Sequence, residues 1–225
     1  MFENPSDFEC SLGLMHLHGQ DYPQDTKKAI EYFEKAISLG NLKAQFILGC
    51  IYFQGLGVLQ DYKKAFNYFE KAALKGQVDA QLYLAHMYIN GAGISKDKKK
   101  AIEWYEKAAL QGDAKAQLAL GVMYEFGEGI PQNFKKAFEW LEKAALQGND
   151  NAQCNLAHLY YNGHGVNENE LMAYAYLNIA AANGNSEASN DRDRLGERLT
   201  SSQIEKAQDI SRELYKKIES NKNRL

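Results

Sequence analysis

Two residues of this chain have the types and spacing for nucleophilic chemistry. Cys154 and His158 lie four positions apart, so on a helix they would share one face, as a thiol nucleophile and its general base do. A working pair also needs a carboxylate that orients the histidine and donors that stabilise an oxyanion. No such group is apparent beside them, and we therefore predict no catalytic residue.

The cysteines and glycines also lack the spacing that a chemical site requires. The chain has three cysteines, an odd number, and they form no C-x-x-C pair: Cys10, Cys50 and Cys154. We therefore expect them to serve as small apolar side chains in a reducing compartment and not to form a disulfide framework. The Gly-x-Gly segments follow no predicted strand and lack a Gly-Lys-Ser/Thr ending, so they are not phosphate loops. We predict no cofactor.

The glycines instead mark a repeat with a fixed step of 36 residues. Such a step predicts stacked helical hairpins, in which each copy contacts only its neighbours. One glycine column consists of Gly40, Gly76, Gly112, Gly148 and Gly184. We place five copies at 8–43, 44–79, 80–115, 116–151 and 152–187.

Each copy has the pattern of a helix, a turn and a second helix. Apolar residues recur at intervals of three and four residues from Ala44 to Phe53 and again from Ala65 to Leu74, as on one face of a helix. Polar residues suited to cap a helix precede each run. Those predicted to cap the second helices are Asp25, Asp61, Asp97, Asn133 and Asn169, and those before the first helices are Asn41, Gln77, Asp113, Asn149 and Asn185.

The repeated residues resemble a known family. The pattern A-x-x-x-L-G-x-x-Y-x-x-G-x-G-[VI], seen at Ala44, Leu48, Gly49, Tyr52 and Gly55 and continued through Gly76, is similar to the Sel-one-like repeats, relatives of the tetratricopeptide repeats. The tetratricopeptide period of 34 fits less well. The resemblance implies an all-α fold, a right-handed α/α superhelical solenoid whose first helices line a concave face, and an adaptor role common in bacteria.

The two ends depart from the pattern. Copy one has His16 in place of the tyrosine and Asp21 in place of the second loop glycine, as expected of a terminal unit. We assign residues 1–187 to the repeat array and 188–225 to C-terminal capping helices and a short tail. A helix is predicted from Asn185 to about Leu199, another from Thr200 to roughly Ser220, and a frayed tail from Asn221.

The remaining histidines are interpreted as structural. His86 and His158 share a position two copies apart, and at roughly 8–10 Å per packed helix they cannot ligate one metal. We therefore predict no metal site. His16 is expected to be a hydrogen-bonded interior histidine, and His164 to face solvent in its loop.

Recognition is expected where the copies differ. Aligning the first helices in the concave register of the related repeats leaves a set of variable positions, several of them apolar without a core position to fill. We call this set the variable columns: Leu14, Leu17, Phe46, Cys50, Phe53, Leu82, His86, Ile89, Asn90, Val122, Glu125, Phe126, His158, Tyr161 and Asn162. Either a partner's peptide or helix covers them, or they pack on one another.

These features favour a non-enzymatic protein-interaction scaffold. The alternative is an inhibitor or immunity protein that neutralises a toxin or enzyme. A third reading is a hydrolase, because some relatives of the cysteine-paired form are linked to beta-lactams, but this chain lacks cysteines in every copy.

Charge and hydropathy further limit the classes of partner that we expect. The formal net charge of -3 gives no basic excess for a phosphate backbone, so we expect no nucleic acid partner. No run of about 18 apolar residues and no signal-like start occurs, so we expect no membrane insertion and a cytoplasmic protein. We expect a monomer that binds another protein.

Overall fold

The computed structural model describes residues 4–222, and all the regular elements in that range are α-helices. The chain forms two compact units, residues 1–108 and 109–225. The first unit contains α1 (Pro5–His18), α2 (Thr26–Ser38), α3 (Leu42–Gln54), α4 (Tyr62–Leu74), α5 (Val78–Asn90) and most of α6 (Lys98–Leu110). The second contains α7 (Ala114–Phe126), α8 (Phe134–Leu146), α9 (Asp150–Asn162), α10 (Glu170–Ala182), α11 (Ser186–Gly196) and α12 (Ser201–Lys222).

Side-chain caps start the helices where the sequence predicts them. Asp61 accepts a hydrogen bond from the Lys64 N–H at 2.9 Å, and Asn149 accepts one from the Ala152 N–H at 2.9 Å. These bonds satisfy N–H groups of the first turn that have no partner inside the helix. The helix–turn–helix prediction and its capping residues are confirmed at these positions.

The loop between the two helices of a copy requires left-handed backbone. Gly55 and Gly57 have φ values of 71° and 66°, a region that residues with a Cβ rarely adopt. Copy one has Asp21 where the later copies have the second of these glycines, and it takes φ 60°. Aspartate tolerates this conformation better than most residues because its short side chain can bond locally.

Small residues bring the helices of a hairpin into close contact. Gly49 on α3 lies against Phe69 on α4 so closely that a Cβ at Gly49 would be 2.4 Å from the Phe69 ring. Phe69, Leu48 and Ala65 are fully buried, as the repeat pattern predicts for shared positions. The aromatic column also has its predicted architectural role, since Tyr68 stacks on Tyr52 with ring centroids 5.8 Å apart.

A column of buried glutamines joins successive hairpins. Gln81 Nε2 donates to the carbonyl of Ala73 at 3.1 Å, and Gln153 Nε2 donates to that of Ala145 at 3.2 Å. Carbonyls in the last turn of a helix lack intrahelical partners, so each glutamine ties a first helix to the end of the helix before it. Sequence analysis missed this role, although the recurring Ala-Gln pairs are visible in the sequence.

The C-terminal helices cover the last hairpin as predicted, with different bounds. Leu195, Leu199 and Ala207 are buried in the core cluster of the second unit. Thr200 and Gln203 form the predicted capping box, with the Thr200 N–H donating to Gln203 Oε1 at 2.9 Å. The helix predicted to reach Leu199 ends at Gly196. The prediction of a frayed tail is wrong for Asn221, which lies in α12 and donates a hydrogen bond to the Leu146 carbonyl. The rest of the predicted tail, residues 223–225, lies outside the described range.

Candidate functional site

All fifteen residues of the variable columns keep part of their surface exposed. Leu48 and Leu84, which belong to a column shared by all copies, are by contrast fully buried. His86, Asn90, Phe126 and Asn162 are the most accessible members, and the other eleven are partly exposed. The variable columns of each unit are therefore reachable by a ligand.

Part of this surface in the first unit is an aromatic cluster. The Tyr83 ring lies 5.5 Å from Phe46 and 5.5 Å from Phe53, edge-on to both, and stacks on buried Phe69 at 4.7 Å. Phe53 also meets Tyr62 edge-on at 5.2 Å. The expectation that Phe53 lacks a core position is wrong, because its ring extends the core of its own hairpin and of the next first helix.

In the second unit the same columns present an exposed ring beside a carboxyl group. Phe126 is 66% exposed, which is unusual for a large apolar side chain at the end of a helix. Its neighbour Glu125 is half-buried, and desolvation raises the pKa of that carboxyl, while His158 and His164 act in the opposite direction. The two residues place an apolar contact next to a hydrogen-bonding group.

A pocket of about 380 Å³ adjoins the variable columns between α9 and α11. Its apolar wall includes Ala157, Leu177 and Leu195, and its polar rim includes Arg194. Arg198 lies over the Tyr161 ring, donates a hydrogen bond to the Tyr161 hydroxyl and pairs with Glu170 at 3.3 Å. Sequence analysis placed Tyr161 and His158 at this surface but missed the arginines of the capping segment.

The structure brings a carboxylate to the Cys154–His158 pair. His158 Nε2 lies 2.7 Å from Asp191 Oδ2, and the donor atoms of Cys154, His158 and Asp191 all lie within 4.8 Å of one another. The expectation that no orienting carboxylate is nearby is therefore wrong. Asp191 lies 33 residues beyond His158 and reaches it only because α11 packs beside α9, so no local pattern identifies it.

This arrangement does not activate the thiol. Burial, together with the carboxylates of Glu187, Asp191 and Asp150, which repel a thiolate, raises the pKa of Cys154 to about 12. A catalytic cysteine needs the opposite environment, in which positive charge stabilises the thiolate.

Iodoacetamide should therefore alkylate Cys154 in the native, chelator-treated protein more than about 100-fold more slowly than free cysteine near pH 8. The thiolate fraction is minute until the pH approaches the raised pKa, and His158→Asn should leave the rate unchanged. Mass spectrometry of the labelled peptide measures both rates. A rate that falls when His158 is replaced would instead indicate a nucleophile and base.

Two further histidine predictions need correction. His16 is buried as expected and lies between the rings of Tyr22 and Tyr32, at 4.8 and 5.4 Å. Its Nδ1 has no hydrogen-bond partner among residues 4–222, so the expected hydrogen bonding is wrong for that atom. His164 is not simply solvent-facing, because it is half-buried and stacks on Phe134 at 4.2 Å.

The hairpins, their turns and the variable columns define an all-α solenoid of helical repeats. The Sel1 repeat model matches the chain five times, at residues 6–41, 42–77, 78–113, 114–149 and 150–185. The chain belongs to the Sel1 repeat family. The matched copies keep the 36-residue step and begin two residues earlier than the copies predicted from the sequence. Sel1 repeat proteins generally mediate protein–protein interaction.

Solved structures agree with this assignment. A Sel1 repeat protein from Oxalobacter formigenes is 28% identical over 82% of this chain and 76% of its own, with a TM-score of 0.77. A protective antigen of uropathogenic Escherichia coli strains with an SLR fold is 30% identical, with a TM-score of 0.57; the match covers 95% of this chain and 54% of that protein. An immunity protein from Pseudomonas aeruginosa is 20% identical over 97% of this chain and 84% of its own, with a TM-score of 0.48.

No curated protein matches the sequence. Among the helices of residues 4–222, none combines the length and the apolar character needed to span a bilayer.

Proposed function

We propose that this protein is a non-enzymatic adaptor whose variable columns bind a peptide or helix of a partner protein. The observation that carries the proposal is the division of the first helices into two kinds of position. Residues of a column that every copy shares, such as Leu48 and Leu84, are fully buried, whereas all fifteen residues of the variable columns keep part of their surface accessible. Residues that need not maintain the repeat are free to specify a ligand.

The second unit offers the strongest contacts for such a ligand. Phe126 is an exposed aromatic side chain, the class of residue that dominates binding energy when an interface covers it. Glu125 precedes it on α7 and Asn162 holds the equivalent position in the next copy, so both can offer hydrogen-bonding groups that fix the orientation of a peptide. The Asn162 side chain donates to the His158 carbonyl and so is already held in place.

The pocket between α9 and α11 would receive one side chain of the partner. Its wall of Leu177 and Leu195 suits an apolar group, and the exposed guanidinium groups of Arg194 and Arg198 at the rim suit an acidic group beside it. Arg198 is already paired with Glu170, so a ligand carboxylate would compete with a surface ion pair of modest strength. We infer a preference for an apolar residue next to an acidic one.

The proposal includes a cytoplasmic location and a monomeric state. The three cysteines are free and two of them are buried, as suits a reducing compartment.

Peptides selected from displayed helical and extended libraries test the proposal. Phe126→Ser should raise the Kd of a selected peptide by about 10-fold or more, because loss of a buried aromatic contact typically costs over 1 kcal/mol. Fluorescence anisotropy with the labelled peptide measures the change.

Leu110→Ser is the matched control, since Leu110 is 76% exposed but ends a second helix. Its effect should stay below about 2-fold. Equal losses from both variants would show that the peptide recognises exposed apolar side chains in general. Failure to select any peptide, combined with binding to a folded toxin or enzyme, would favour the inhibitor alternative.

A further inference from the structure

Three side chains with metal-binding atoms meet in the second unit. Cys154 and His158 lie on one face of α9, and Asp191 approaches them from α11. Their sulfur, nitrogen and oxygen atoms all lie within 4.8 Å of one another. Cys154 is buried, whereas the side chains of His158 and Asp191 are 36% and 19% exposed, so the cluster has a closed side and an open side.

We propose that Cys154, His158 and Asp191 bind a Zn²⁺ ion through three protein ligands, with the fourth coordination position facing the adjoining pocket. Thiolate, imidazole and carboxylate are the groups that proteins use for zinc, and three such ligands with one open position form a common arrangement. His158 and Asp191 both line the pocket, so water or a ligand can reach the open position.

The carboxylate is already oriented for this role. Asp191 Oδ1 accepts a hydrogen bond from Arg194, which leaves Oδ2 directed at His158. Carboxylates that ligate metals are usually held by a hydrogen bond to the rest of the protein in this way. The hydrogen bond to Arg194 therefore persists when Oδ2 turns from the imidazole to the metal.

The local charge also favours a cation. The carboxylates of Glu187 and Asp150, together with Asp191, lie close enough to Cys154 to act on it electrostatically. A bound divalent ion would relieve the repulsion among these groups.

A modest movement converts the hydrogen-bonded cluster into a coordinating one. His158 Nε2 and Asp191 Oδ2 are now 2.7 Å apart. Two ligand atoms each about 2.1 Å from a tetrahedral zinc are about 3.4 Å apart, so the pair must separate by less than an ångström. The buried Cys154 sulfur lies within 4.8 Å of both atoms and must come to about 3.6 Å from each, so the partly exposed His158 and Asp191 side chains would make most of the movement.

Cobalt provides the test, because Co²⁺ bound to a thiolate produces a charge-transfer band in the near ultraviolet. The full-length, chelator-treated protein should develop this band with one equivalent of Co²⁺, and Zn²⁺ should abolish it. Cys154→Ser should eliminate the band and weaken Zn²⁺ binding by at least about 100-fold, since even loss of a supporting hydrogen bond costs about 10- to 100-fold. Asp191→Asn and His158→Gln should each weaken Zn²⁺ binding as well.

Cys10→Ser is the matched control. Cys10 is a buried cysteine at the equivalent position of copy one, but Leu14 stands four residues later in place of a histidine. This variant should keep the band and the wild-type affinity, and circular dichroism should show that Cys154→Ser remains folded.

If Cys154→Ser does not fold, the variants of the two partly exposed ligands, Asp191→Asn and His158→Gln, decide the outcome. A wild-type protein without the band, a band that survives in Cys154→Ser, or unchanged Zn²⁺ affinity in Asp191→Asn and His158→Gln would each overturn the site. The zinc site does not depend on the proposed partner binding, and peptide binding by the metal-free protein distinguishes the two.

Discussion

Phe69→Ala is expected to reduce the free energy of unfolding of the first unit by about 3–5 kcal/mol, the usual cost of removing a fully buried phenylalanine. The Phe69 ring is inaccessible to solvent, stacks on Tyr83 and lies within 6.1 Å of the Phe53 ring centroid. Its removal would leave a cavity between α3 and α4 of the same hairpin, because Gly49 on α3 has no side chain to fill it. Urea denaturation followed by circular dichroism measures the loss.

Phe53→Ala serves as the comparison within the same cluster. Phe53 is only partly buried, so its replacement should cost about 1–2 kcal/mol, less than half the effect at Phe69. A loss at Phe53 as large as that at Phe69 would show that the Phe53 ring contributes to the core as much as the fully buried Phe69 ring does. The aromatic part of the variable columns would then have to be removed from the proposed binding surface.

Gly165→Ala is expected to destabilise the second unit by about 2–5 kcal/mol, for two separate reasons. Gly165 has φ 75°, which costs an alanine roughly 1–2 kcal/mol. A Cβ there would also lie 2.3 Å from the Phe134 carbonyl oxygen and 2.8 Å from the Lys135 nitrogen. These are backbone atoms at the start of α8, so they cannot move aside as a flexible side chain would.

Gly184→Ala separates the conformational cost from the steric cost. Gly184 has φ 95°, but a Cβ there would meet nothing within 4 Å. This variant should lose only about 1–2 kcal/mol, again measured by urea denaturation. Equal losses at the two positions would mean that the loop of the fifth copy moves away from α8 at little cost, contrary to the close approach seen in the structure.

The comparison of Gly165→Ala with Gly184→Ala also tests the candidate site. The loop that contains Gly165 also contains His164, which stacks on Phe134 in the helix that Gly165 contacts. A displaced loop would alter the end of α9, where Tyr161 and Asn162 belong to the variable columns. Weaker peptide binding in Gly165→Ala, with binding retained in Gly184→Ala, is therefore consistent with the proposed surface.

The helices of the five copies, their caps and their turns could be predicted from the sequence, because the interactions that form them are local. Asp61 accepts a hydrogen bond from the N–H of Lys64, three residues away, and Gly55 takes a left-handed conformation that glycine adopts without a steric cost. Each of these local patterns also recurs in all five copies, which strengthens the prediction. The buried alanine and leucine columns followed from the same periodicity, since a position kept apolar in every copy faces the neighbouring hairpin.

The tertiary structure alone decided which distant groups meet. Asp191 contacts His158, which lies 33 residues earlier in the chain. Tyr83 packs against Phe53 and so joins it to the core of its hairpin. Nothing in the local sequence distinguishes any of these side chains from the others on its helix. The sequence also predicts a hydrogen-bonded His16, but its buried Nδ1 has no hydrogen-bond partner among residues 4–222. Periodicity determines which face of a helix is buried. It does not determine which side chain of another helix lies opposite, because that depends on the distance and angle at which the helices pack.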